Sequence, residues 1–288
     1  MRRWSGHICA VLSLLMLIPC LCSAEGRVFT RKVRLSDFTT RTTKVVLGGT
    51  GILDAALRSE VTSRWHLSPY EFCTVAEYEA LKGRADYYFL RLMSDAPKGE
   101  AGGVLFLSLI KGGKEKNPDS LDRTFEVVRI PITATEYSSG REFIYLGAFL
   151  EIMQEYVEDA MEADTKGYAG LSGYSTRIAR GQRKRVWISG DDMGFELTDA
   201  QRDRFLGDNL VIAGEDIVDR VFRNGTRDAL VSVVVCPVSA RKGDWCYKML
   251  ISADTHQLYY YQRHRISFKA WKGFQLSDIR AISGRRKR

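Results

Sequence analysis

Histidine is scarce in this chain: four occur among 288 residues, and His7 lies in the N-terminal leader described below. The other three, His66, His256 and His264, stand apart, with no pair at metal-ligand spacing. There is no His-Glu-x-x-His, no Gly-x-Ser-x-Gly and no paired catalytic carboxylate pattern. The sequence therefore argues against a metal centre, and it offers no catalytic or cofactor-binding set. Six cysteines occur, but Cys9, Cys20 and Cys22 belong to the leader, so Cys73, Cys236 and Cys246 remain. Three thiols exclude a disulfide framework while remaining compatible with an oxidising compartment. Past residue 24 no apolar run is long enough to cross a bilayer. No nucleic-acid-binding motif is recognisable, and nucleic acid is not expected as a partner.

What is present begins with a targeting segment at residues 1–24. Arg2-Arg3 give it a positive start, Ile8 to Leu21 an apolar stretch, and Cys22-Ser23-Ala24 a cleavage site. The expected product is exported and periplasmic, with Glu25 as its first residue. Leu17-Ile18-Pro19-Cys20 loosely has the form of a lipobox, although proline before the cysteine fits poorly. The formal charge of +8 becomes +6 when two arginines and no acid leave with the leader. This surplus favours acidic surfaces. It is clustered at Arg177, Arg180, Arg183, Lys184 and Arg185, and at Arg285-Arg286-Lys287-Arg288, which suggests peripheral contact with anionic lipid.

The order of structural signals occurs twice. Lys44-Val45-Val46-Leu47-Gly48-Gly49 matches Arg185-Val186-Trp187-Ile188-Ser189-Gly190, and Val104 to Ile110 matches Trp245 to Ile251 at the same offset. Each half reads strand, helix, strand, helix, strand, strand, strand. Between them, Phe143, Leu146, Leu150, Met153 and Val157 recur at helical spacing. Ile144, Tyr145, Phe149 and Ile152 widen that face, so this long helix should be buried. Ser139 with Glu142 gives it a capping-box start. The fold class expected is α/β (α+β): two similar modules of mixed sheet with helices, joined by a long buried helix. The divisions are residues 25–138, a linking helix and basic linker over 139–182, and residues 183–288. Residues 27–43 read as a polar entry strand or loop.

Several motifs have structural explanations. Gly48-Gly49-Thr50-Gly51 precedes a helix, but Asp54 stands where a dinucleotide fingerprint needs glycine. A tight turn is expected there. Cys236 and Cys246 flank a hairpin about Arg241; symmetric folding sets them face to face for a disulfide, and a one-residue slip separates them. Arg64-Trp65-His66, with Tyr70 shortly after, concentrates the residue types that dominate binding hot spots, so these four are the candidate partner contacts. Exposed strand edges are the other expected contact surface. Asp191, Asp192, His66 and Cys73 are the groups from which an inter-module hydrolase cleft would have to be made.

Arg31 to Arg41, Ser63 to Cys73, Gly167 to Ser175 and Cys246 to His256 resemble an uncharacterised family of exported Bacteroidales proteins. Asp119-Ser120-Leu121 has the form of the O-glycosylation tripeptide of Bacteroidetes, and Asn224-Gly225-Thr226 is a sequon better read as a helix-ending turn. More remotely, each module is similar to the N-terminal domain of the Tol-Pal translocation protein and to that of curli-type secretion lipoproteins. The propeller of the former and the pore-forming hairpins of the latter are missing. These resemblances imply a non-catalytic role in envelope binding or assembly, with an envelope protein as partner.

Overall fold

A computed structural model describes residues 31–49, 51–95, 102–113, 125–179, 184–206 and 209–284. The leader, the tripeptide at Ser120, Arg180, Arg183 and the basic tail lie outside the described residues. Arg31–Arg288 forms one compact unit.

The first half contains α1 (Arg31–Leu35), β1 (Thr42–Leu47), α2 (Ile52–Arg64), β2 (Tyr70–Thr74), α3 (Val75–Leu81), β3 (Tyr87–Ser94), β4 (Val104–Lys111) and β5 (Phe125–Ala134). The long helix α4 (Arg141–Glu162) and the short α5 (Asp164–Ala169) follow. The second half contains β6 (Arg185–Ser189), α6 (Asp199–Phe205), β7 (Leu210–Ala213), α7 (Glu215–Arg223), β8 (Ala229–Val235), β9 (Trp245–Ser252), β10 (Leu258–Arg265) and α8 (Leu276–Gly284).

The two five-stranded sheets have the same wiring. One runs β2-β1-β3-β4-β5 and the other β7-β6-β8-β9-β10. In each, the first strand pairs in parallel with the second and third, and the remaining neighbours are antiparallel. The doubling expected from the sequence is therefore present at the level of topology.

The halves do not present equivalent faces to each other. Val45 of β1 faces the core shared by both sheets, whereas Val46 faces a smaller cluster with Tyr78 of α3. Their counterparts are reversed: Val186 and Ile188 face the outer cluster with Phe274, Ile279 and Ile282, and Trp187 packs on the shared core. Helix α2 thus lies inside and its counterpart α6 outside; α3 lies outside and its counterpart α7 inside. Helix α4 contributes Tyr145, Phe149, Ile152 and Met153 to the shared core. Across that core the Phe106 ring of β4 meets Tyr247 of β9 edge-on at 5.5 Å.

Local signals explain the helix starts. Thr74 with Glu77 and Thr198 with Gln201 are reciprocal capping boxes, each satisfying two amides that a helix start leaves unpaired. Two expectations need correction. The polar entry segment is not a strand over its first part: Arg31–Leu35 is helical because Leu35 and Phe38 must both reach the core. Helix α4 is capped by Gly140 at φ +86°, not by Ser139. The left-handed turn lets the Glu142 carboxylate accept from the Gly140 amide at 3.0 Å and from the Ser138 hydroxyl.

Because Phe149 is fully buried in a core that both halves share, Phe149→Ala should destabilise the whole unit by about 3–5 kcal/mol. Far-UV circular dichroism and tryptophan fluorescence should report one coincident denaturant transition. Two separate transitions would show that the halves fold independently.

Candidate functional site

Helix α4 is anchored at its first residue. Arg141, nearly fully buried, sends its Nε to Asp219 of α7 at 3.1 Å and one terminal nitrogen to Asp192 at 3.2 Å and Glu215 at 3.3 Å. The other terminal nitrogen donates to the Ser232 carbonyl of β8 at 2.9 Å. Tyr145 donates to Asp219 at 2.7 Å, and the Ser232 hydroxyl to Asp192 at 2.5 Å. These groups gather at the carboxyl end of β6, where parallel neighbours leave on either side, a place where α/β sheets open crevices. Here the crevice is filled by the guanidinium. Burial pushes the Asp192 carboxyl up against the opposing pull of Arg141, so the cluster costs desolvation and holds only while every partner stays in place.

A second polar network crosses the molecule nearer the middle of α4. Arg64, the last residue of α2, contacts Glu60 at 2.6 Å and Glu151 of α4 at 2.5 Å. The other Glu151 oxygen lies 3.0 Å from Nδ1 of His256, at the turn between β9 and β10. His256 holds φ +53°, a conformation rare outside glycine, and its ring stacks on Phe222 of α7 at 5.2 Å. Gly147 lies beneath: a Cβ there would come within 2.6 Å of both Arg64 and Glu60. Above it opens a groove of about 430 Å³, lined by Glu60 and Arg64 from the first half, Phe143 and Ile144 from α4, and Arg223 and His256 from the second.

The four candidate contacts separate in this setting. Arg64 is half-buried and belongs to the groove. Trp65 is buried, with Nε1 donating to Ser68 at 3.2 Å, because the helix turns it onto Phe38, and so it is not available to a partner. His66 is exposed, but its amide donates to the side chain of buried Gln154 at 2.9 Å. Tyr70 stands on the edge strand β2 with its ring against Phe72 at 5.6 Å. The hydrolase set is not assembled. Cys73 sits in the small outer cluster of the first sheet, His66 beside α4, Asp191 on the surface, and Asp192 in the Arg141 cluster.

The hairpin register continues from Val235 opposite Tyr247, which brings Cys236 opposite Cys246. Both are free thiols. A hydrogen bond from Cys246 pulls the Cys236 thiol down, and that bond together with burial raises Cys246. Among the described residues no group of acidic, histidine and cysteine side chains is arranged to hold a metal, and no helix is long and apolar enough to cross a membrane. Sequence reasoning missed Arg141 and His256. The signal for Arg141 was a cation on the first turn of an otherwise apolar helix, where the dipole favours an acid.

Arg141→Met should cost about 3–5 kcal/mol in denaturant unfolding, because it leaves buried carboxylates without a counter-charge. Arg141→Lys should fall between it and the parent, since a single ammonium cannot reach every partner of the planar fork. Equal stability of all three would show that the cluster is inert. Burial alone would raise the Glu151 carboxyl, but hydrogen bonds and charge from His256 and Arg64 hold it below its ordinary 4.5. A carboxyl depressed on folding adds stability above its unfolded value, lost as pH falls through the folded one. Glu151→Gln should therefore be less stable than the parent near neutrality, and the gap should close as pH drops below about 4.5. Denaturation midpoints at a series of pH values would show it; a gap independent of pH would assign the loss to packing.

Comparison of the chain with protein-family models, with curated proteins and with solved structures gives no match.

Proposed function

We propose that this is a non-catalytic, exported protein of the periplasm that binds an envelope protein in the groove over α4. One observation carries the reading: both halves and the linking helix jointly build that groove. A surface that exists only when the doubled unit is assembled gives the doubling a use. The lining sets an exposed Phe143 with the cationic Arg223, Arg64 being already paired with Glu60 and Glu151, so a segment offering an apolar side chain beside one carboxylate for Arg223 fits it. Arg223 is exposed and has no carboxylate within ion-pair distance among the described residues, so its charge is available. The resemblance to exported Bacteroidales proteins and the remote one to the Tol-Pal domain agree with an assembly role. The separation of Cys73, His66 and the aspartates favours this binding reading over the hydrolase alternative.

A photo-reactive amino acid placed at Phe143 should give a discrete cross-linked species in intact envelopes, whereas one at exposed Tyr168 of α5 should give none. Arg223→Glu, at an exposed position without an ion pair among the described residues, should cut the yield at Phe143 about tenfold if the guanidinium meets a carboxylate. Equal labelling from Phe143 and Tyr168 would sink the reading.

A further inference from the structure

At the far tips of β8, β9 and β10 the molecule shows a different chemistry. The β8–β9 hairpin tip and the segment after β10 are tied together: Gly243 donates to the Ile266 carbonyl at 2.9 Å, Ile266 donates back to Asp244 at 2.8 Å, and Arg265 bonds the Gly243 carbonyl. The side chains there face outward. Phe268 is 93% exposed, Tyr137 68%, Trp271 48% and Val238 48%. Phe268 stands as a single protruding ring, with the Lys242 ammonium 5.9 Å from its centre.

Five cations surround these groups: Arg241, Lys242, Arg265, Lys269 and Lys272. No carboxylate among the described residues lies within ion-pair distance of any of them. The two local acids are engaged with backbone. Glu136 accepts from the Val238 and Ser239 amides at 2.7 and 3.1 Å, and Asp244 from the Arg241 amide at 2.6 Å. The platform behind is rigid. His264 Nε2 meets the Trp271 carbonyl at 2.7 Å, Lys272 bonds the Val238 carbonyl, and Lys248 and Asp278 form a buried pair at 2.6 Å. Beside Lys269 and His264 opens a cavity of about 540 Å³, large enough for a phosphate headgroup, and the buried Nδ1 of His264 has no partner.

We infer that this end of the molecule docks on an anionic membrane surface, with Phe268 and Trp271 entering the headgroup layer and Arg241, Lys242 and Lys269 facing lipid phosphates, while Arg265 and Lys272, bonded to carbonyls, add to the positive field. A protruding aromatic tip ringed by cations without carboxylate partners among the described residues is complementary to a negatively charged interface, which takes up both groups at once. A protein partner would be expected to bury a contiguous apolar face, whereas Phe268 projects here as a single ring. Of the basic linker singled out in the sequence, Arg177 pairs with Glu155 at 2.7 Å and Lys184 with Asp254 at 3.1 Å, so these two charges are engaged internally. This surface is separate from the groove over α4, and the inference stands without it.

The test is co-sedimentation of the chain starting at Glu25, which retains the whole compact unit Arg31–Arg288, with vesicles of phosphatidylethanolamine alone or mixed with phosphatidylglycerol. The protein should bind the mixed vesicles, bind neutral ones at least tenfold more weakly, and dissociate as salt is raised. Phe268→Ala with Trp271→Ala, and separately Lys242→Glu with Lys269→Glu, should each lower the partition coefficient about tenfold with circular dichroism unchanged. Competition by soluble glycerol phosphate at millimolar concentration should leave binding largely intact, since a lipid surface engages many groups together. Three outcomes would overturn the inference: no binding to mixed vesicles, binding lost only on truncation after Gly284, or a Phe268→Ala effect on self-association without one on vesicle binding.

Discussion

The guanidinium of Arg141 is the constraint on which the arrangement depends. It is the first residue of α4, yet its partners Asp192, Glu215, Asp219 and Ser232 all belong to the second half. An arginine at a helix start works against the helix dipole, and burying it costs solvation that only complete pairing offsets. The pairing is complete in only one placement of α4 against β6, α7 and β8. A hydrophobic helix between two sheets could otherwise slide or rotate with little loss, because apolar contact is non-directional. The charge cluster therefore supplies register to a core whose strength comes from elsewhere: from Phe149, Tyr145, Met153 and their neighbours.

Given that register, the reversal of faces follows. Two modules of identical wiring can pack by equivalent faces or by opposite ones. Here Val45 and Trp187 point inward while Val46 and Val186 point outward, so the front of one sheet meets the back of the other. Such an arrangement is head-to-tail, and nothing in its symmetry terminates it. The outer layers terminate it instead. Helix α3 covers the free face of the first sheet, and α6 with α8 covers that of the second. The modules have thus diverged where one faces solvent and the other faces the core, which explains why their likeness survives in pattern and topology more than in residue identity.

How much could be read beforehand divides along physical lines. Period and capping are local, and Thr74-Glu77, Thr198-Gln201 and the run Leu210–Ala213 carry signals for α3, α6 and β7 within their own residues. The entry segment was misread because its threonines suggested extension, while the buried Leu35 and Phe38 that decide its shape are reached only through tertiary packing. The turn at Arg64 was located, but its use was not. Trp65 looked like an exposed anchor from composition, and its inward turn depends on Phe38 and Ser68. His256 was invisible for the same reason: its partners Glu151 and Phe222 are distant in sequence, and its left-handed backbone is set by the β9–β10 turn.

The two surfaces argued for binding are linked through one short stretch of chain. Tyr137 belongs to the exposed tip, Gly140 and Phe143 line the groove, Glu136 accepts from the Val238 and Ser239 amides, and Glu142 accepts from the Gly140 amide. Three residues of chain extend no more than about 11 Å, roughly one Debye length at physiological salt. If the tip rests on anionic lipid as proposed, the Gly140 end of the groove stands close to the headgroups, and Arg223 lies farther along it beside His256. A partner segment carrying acid would then feel repulsion from the lipid at one end of the groove and attraction from Arg223 at the other. The attraction dominates only once the segment is seated beside Arg223, at short range. Such an arrangement favours partners already held at the membrane by an anchor of their own, because tethering raises the local concentration that the weak outer field cannot.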